Sequence, residues 1–152
     1  MIAVRSLASC WVERCVERWD DTASAGGQDL RVGIDFFSLL DDDGWVPVSP
    51  AFDGEVWLST KTDRSFKLFG VRCRANFTIP MHHLNVRQLM IVLAGELVVE
   101  SGGEDVQAQR VGAGQFFVTD AGTPFKVTAG PEGATYIENF PQTAATIETV
   151  WD

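Results

Sequence analysis

The chain has 152 residues, 45% of them apolar and 22% charged, and a formal net charge of −9. One domain with one sizeable core is expected, and the acidity speaks against nucleic-acid binding, which needs a basic face to neutralise phosphates. No apolar run approaches the roughly 20 residues of a membrane span, and the N-terminal apolar region is too short for a secretory signal. The three cysteines (Cys10, Cys15, Cys73) show no C-x-x-C spacing and read as reduced thiols, so a cytoplasmic protein follows by default.

Residues 2–20 carry Leu7, Trp11, Cys15 and Trp19 at i, i+4 spacing, with Glu13, Arg14, Glu17 and Arg18 largely on the other side. This is an amphipathic helix pattern. The small, polar run DTASAGGQD (21–29) reads as a linker. The expected organisation is a helix or arm plus linker over 1–30 and a single all-β domain over 31–152.

The pattern changes after DDDG (41–44). EVWLS (55–59), FKLFGVRCRANFT (66–78), RQLMIVL (87–93), ELVVE (96–100) and DVQAQRV (105–111) read as strands. So do QFFVT (115–119), FKVTA (125–129), ATYIENF (134–140) and TIETVW (146–151). Between them stand turn formers: AG (94–95), SGGE (101–104), GAG (112–114), DAGTP (120–124) and GPEG (130–133). In FGVRCRANF, Phe69, Val71, Cys73, Ala75 and Phe77 alternate with Arg72, Arg74 and Asn76, so one face is apolar and the arginines fall on a solvated one. Many short strands without an intervening helical pattern predict a β-sandwich or barrel.

Both histidines stand together in PMHHLNVRQLMIVLAG (80–95). From about residue 45 to 140 the chain resembles the cupin family of jelly-roll barrels. The family's first motif runs glycine, five residues, His-x-His, three or four residues, Glu, six residues, Gly. Here those positions read Asn76, His82, Leu84, Gln88 and Gly95. A second register makes His83 the second histidine and puts Met81 in the first place. The second motif, Gly, five residues, Pro-x-Gly, two residues, His, reads Gly114, Asp120, Gly122 and Phe125. The resemblance implies a cupin-type barrel that pairs as a homodimer. The five tryptophans (Trp11, Trp19, Trp45, Trp57, Trp151) are more than a small acidic domain needs, and an interface would bury some of them.

Metal sites of the zinc or non-haem iron type take three or four ligands from His, Cys, Asp and Glu. The motif positions offer His82, His83 and Gln88, with Glu138 as a further donor on the strand that holds Tyr136. Consecutive strand residues face opposite ways, so both imidazoles point inward only if the backbone bulges. Two functional readings stay open. In the first, which the residues favour, Gln88, Met90, Val92, Phe125 and Tyr136 line a pocket for a small apolar or aromatic molecule, and metal binding is weak or absent. In the second, one divalent iron, zinc, nickel or manganese ion serves a dioxygenase similar to the cupins that cleave dihydroxyacetophenones or diketones. A third, weaker pattern is acid/base chemistry by a histidine and Tyr136, as in the family's sugar-epimerase branch. No GxSxG elbow or Gly-rich phosphate motif appears, and Cys73 at an apolar strand position reads as a core thiol.

Overall fold

The computed structural model describes residues 37–61, 66–102 and 107–151. The helix or arm expected over 1–30 lies outside the described residues. Among the described residues nine strands are formed: β1 (Trp45–Pro47), β2 (Val56–Ser59), β3 (Leu68–Cys73), β4 (Thr78–Leu84), β5 (Gln88–Ser101), β6 (Ala108–Gly112), β7 (Phe116–Thr119), β8 (Phe125–Asn139) and β9 (Thr149–Trp151). All strand pairs are antiparallel. A 3-10 turn, Pro50–Phe52, follows β1.

Two long strands build the barrel. The first half of β8 pairs with β4 and with the second half of β5; its second half pairs with β3 and with the first half of β5. The sheet therefore curls into two layers that share β5 and β8. One layer runs β1-β2-β3-β8-β5-β7 and the other β9-β4-β8-β5-β6. Phe117 of β7 meets Phe125 of β8 across the interior, with ring centroids 6.4 Å apart. The core between the layers is apolar, centred on Val56, Val71, Val92, Leu97, Val127 and Tyr136. Burying such side chains is the main stabilising term, about 1.5–3 kcal/mol each.

The corner between the layers explains where the expected strand ends went wrong. AG (94–95) and GPEG (130–133) read as turns, yet β5 and β8 run straight through them. Gly95 has φ +70°, and the β5–β8 register shifts on either side of it, between Val92 and Ala94 and between Gly95 and Leu97. A glycine with positive φ inside a paired strand bends the strand without ending it. The bend is tight: a Cβ on Gly95 would stand 2.0 Å from the Gly133 carbonyl oxygen.

The opposite error occurs at 66–78, expected as one strand. The chain turns at Arg74–Phe77, where Phe77 N–H donates to the Arg74 carbonyl (3.2 Å), and β3 and β4 are separate. Asn76 takes φ +60° in that turn, a conformation that asparagine tolerates better than most residues. The motif glycine position is thus filled by the next most suitable residue type. Gly95, Gly114 and Gly122, the other motif glycines, also have positive φ. Neither β1 nor β4 beyond Thr78 was expected, and the strand expected over 146–151 shortens to its last three residues.

Candidate functional site

The site grows from β4. Its pairing with β8 shifts register between Ile79 and His82, so three steps on β4 match two on β8, from Val127 to Phe125. One extra residue is a β-bulge, and it puts both Ile79 and His82 inside, where each is buried. Regular alternation resumes afterwards, so Leu84 is also inside and His83 shares the outer face with its cross-strand neighbour Val150. His83 is half-buried there. The bulge precedes the histidine pair, and a single imidazole enters the barrel.

His82 sits in an aromatic row across three adjacent strands. Its ring lies 4.4 Å from that of Phe125 on β8 and 5.0 Å from that of Trp151 on β9, centroid to centroid. Nδ1 is 2.7 Å from the Pro80 carbonyl oxygen. A carbonyl only accepts, so Nδ1 carries the proton and donates to it, the tautomer whose lone pair is on Nε2 when the ring is neutral.

The facing layer supplies a buried polar group. Gln88, Met90, Tyr136 and Glu138 are 2%, 2%, 0% and 5% exposed. Met90 pairs with Glu138, and Val92 with Tyr136, so these four share the inner face. Burial pushes the Glu138 carboxyl up to about 8, against a hydrogen bond from Gln88 that pulls it down. At neutral pH Glu138 is therefore mostly protonated. The Cys73 sulfur stands 3.8 Å from the Tyr136 hydroxyl. Burial drives the thiol up to about 12 and raises the phenol well above its usual value. Neither is an ionised nucleophile near neutrality.

All five expected pocket residues, Gln88, Met90, Val92, Phe125 and Tyr136, thus lie inside the barrel. Met90, Val92 and Tyr136 are packed almost to the exclusion of solvent. Phe117 and Trp151, which meet Phe125 and His82, are only half-buried. Sequence reasoning missed Phe117, Trp151 and Thr149. The strand that carries the last two has three residues, too few for periodicity to reveal a face.

The residues present do not fit a metal centre. The four family ligand positions hold His82, Leu84, Gln88 and Phe125, all buried. They offer one imidazole and one neutral amide against the three or four good donors a divalent ion takes. Among the described residues no three His, Cys, Asp or Glu side chains stand close enough to share an ion. Glu138, the further donor expected from sequence, is buried but completes no such group.

Arg72 and Arg74, expected on a solvated face, stand outside the barrel, as does Arg87. Arg72 lies 4.3 Å over the Trp45 ring and reaches Asp42, Arg74 pairs with Glu55, and Arg87 pairs with Asp120. A surface groove of about 490 Å³ runs between Trp57, Arg72 and Arg74, over a floor of Gly95 and Gly133. No helix among the described residues is long and apolar enough to cross a membrane.

Curled antiparallel layers, shared long strands and positive-φ turns at the motif positions define a cupin jelly roll, and comparison with solved structures gives the same fold. KdgF from a Halomonas species is similar with a TM-score of 0.56 and 20% identity, over 74% of this chain and 96% of that one. Vicilin from hazelnut (Corylus avellana) gives 0.52 and 18%, over 63% and 31%. The DMSP lyase DddQ from Ruegeria pomeroyi gives 0.51 and 19%, over 59% and 44%. The chain thus spans nearly all of KdgF but less than half of the other two. No family model and no curated protein sequence matches.

Proposed function

We propose that this chain is a cupin-fold binding protein whose barrel takes a small, largely apolar or aromatic molecule without help from a metal ion. One observation carries the reading. Where the family's motifs place metal ligands, this chain buries His82, Leu84, Gln88 and Phe125 on the barrel's inner faces. Two ligand positions have become hydrocarbon and a third a neutral amide, while the backbone turns of both motifs are kept. Such a lining suits a ring or an alkyl group better than a cation. The ligand enters beside Phe117 and Trp151 and lies against the His82–Phe125–Trp151 row.

Elemental analysis of protein purified without a histidine tag tests this. The expected result is no stoichiometric iron, zinc, nickel or manganese, before or after reconstitution. Stoichiometric metal that His82→Ala abolishes would overturn the reading and restore the dioxygenase.

The proposed working unit is a homodimer joined through the outer face of the β1-β2-β3-β8-β5-β7 layer. Phe116 and Val118 of β7 are 66% and 43% exposed on that face, beside Ile91 and Leu89. Ile137 of β8 follows across Ile91. These five side chains are uncharged, and the Arg87–Asp120 pair at their edge is balanced, so in a chain of net charge −9 two copies meet there with least repulsion.

A further inference from the structure

We propose that the ligand of this barrel carries a neutral hydrogen-bonding group (a phenol, alcohol or amide), which docks on the Gln88 side chain beside Glu138, and that ligands charged at this point are rejected. The inference rests on the binding reading above and narrows it to a chemical class.

Two buried polar atoms point to it. Gln88 Oε1 and Thr149 Oγ1 are solvent-inaccessible and have no hydrogen-bond partner; their residues are 2% and 5% exposed. Buried polar atoms are seldom left unpaired, because each then bears its full desolvation penalty. Both belong to one end of the barrel. Thr149 pairs with Leu84, and the short turn after Leu84 leads directly into Gln88. The Gln88 amide lies beside the Glu138 carboxyl, which it makes more acidic, and its oxygen is the atom left for a partner. Half a turn of the amide exchanges that acceptor for a donor, so the position serves a hydroxyl, an N–H or a carbonyl.

Charge decides the rest of the class. Among the described residues no lysine or arginine is buried, so a carboxylate or phosphate inside would have no counter-ion. It would also face the Gln88 oxygen and the Glu138 carboxyl. A cationic amine would require Glu138 to ionise in the core, and burying two opposite charges costs more than docking a neutral group on a neutral carboxyl.

Ligand-observed NMR at pH 7 with phenol, toluene, benzoate and benzylamine tests the class on the unmodified protein. Phenol is expected to bind about ten-fold more tightly than toluene, with benzoate and benzylamine weaker than both. Benzoate or benzylamine binding as tightly as phenol overturns the inference, as does equal affinity for phenol and toluene. None of the four binding overturns the underlying reading itself, so the two failures are distinct. Gln88→Leu, its fold checked by circular dichroism, is expected to lose the phenol preference and keep toluene binding. An unchanged preference in that variant overturns the assignment to Gln88.

Discussion

Glu138 makes stability depend on pH in an unusual direction. In the unfolded chain its carboxyl releases a proton near the ordinary value of 4.5, whereas in the fold burial holds the proton up to about 8. Between these values the native state binds one more proton than the unfolded state. Raising the pH therefore favours unfolding, by about 1.4 kcal/mol for each pH unit. Below 4.5 and above about 8 the two states carry this proton alike and the slope vanishes.

The neighbours do not mask the effect. Gln88 on β5 does not titrate, and the cross-strand partners Phe69 and Met90 are uncharged. The Cys73 thiol on β3 and the Tyr136 phenol on β8 are both pushed far above this window. Glu138→Gln keeps the side chain's shape and removes the titration. Urea denaturation of both proteins at pH 5, 6.5 and 8, followed by tryptophan fluorescence, reads the difference. The variant is expected to gain about 4 kcal/mol on the wild type between pH 5 and pH 8. A difference that stays constant within about 1 kcal/mol would refute the claim that this carboxyl is buried and protonated.

Three further outcomes follow from the packing. Gly95→Ala should cost at least about 3 kcal/mol in urea denaturation, whereas Gly114→Ala should cost only about 1 kcal/mol. Both glycines have positive φ, but only a Cβ at Gly95 meets backbone, at 2.0 Å, while one at Gly114 meets nothing within 4 Å; equal losses would show that the corner is not tight. Cys73 should stay unmodified by iodoacetamide at pH 8 in native protein and react in urea, since its thiol is pushed up to about 12; peptide mapping that finds it alkylated in native protein contradicts the burial. Light scattering should give wild-type protein twice the 16.7 kDa chain mass and Phe116→Glu a single chain; a wild-type monomer removes the proposed dimer face.

Much of the architecture could be read from residue order, because strand formation depends on local alternation. Apolar and polar residues alternate in FGVRC, and the fold buries Val71 and Cys73 while leaving Arg72 on the outside. The motif spacing from Asn76 to Gly95 and from Gly114 to Phe125 could also be counted directly. It placed His82, Leu84, Gln88 and Phe125 in one group, and all four side chains are buried. The positive-φ positions of the two motifs, Asn76, Gly95, Gly114 and Gly122, were legible as well, since glycine and asparagine are residues that tolerate that backbone.

What chain order left open turned on pairing between distant strands. A glycine looks the same whether it ends a strand or bends one, and only the close approach of Gly95 to Gly133 makes β5 and β8 continuous through the corner. Adjacent histidines cannot both be assigned a face from alternation alone, because one extra residue anywhere upstream reverses it. The bulge before His82 decides that this ring is inside and His83 outside. Glu138 carries no local mark of its burial: TYIENF offers it as a donor beside Tyr136 but does not fix which way it faces. Its inward face, its neutral state and its place beside Gln88 come from the closing of one layer over the other, which removes water from whichever side chains the register has turned inward.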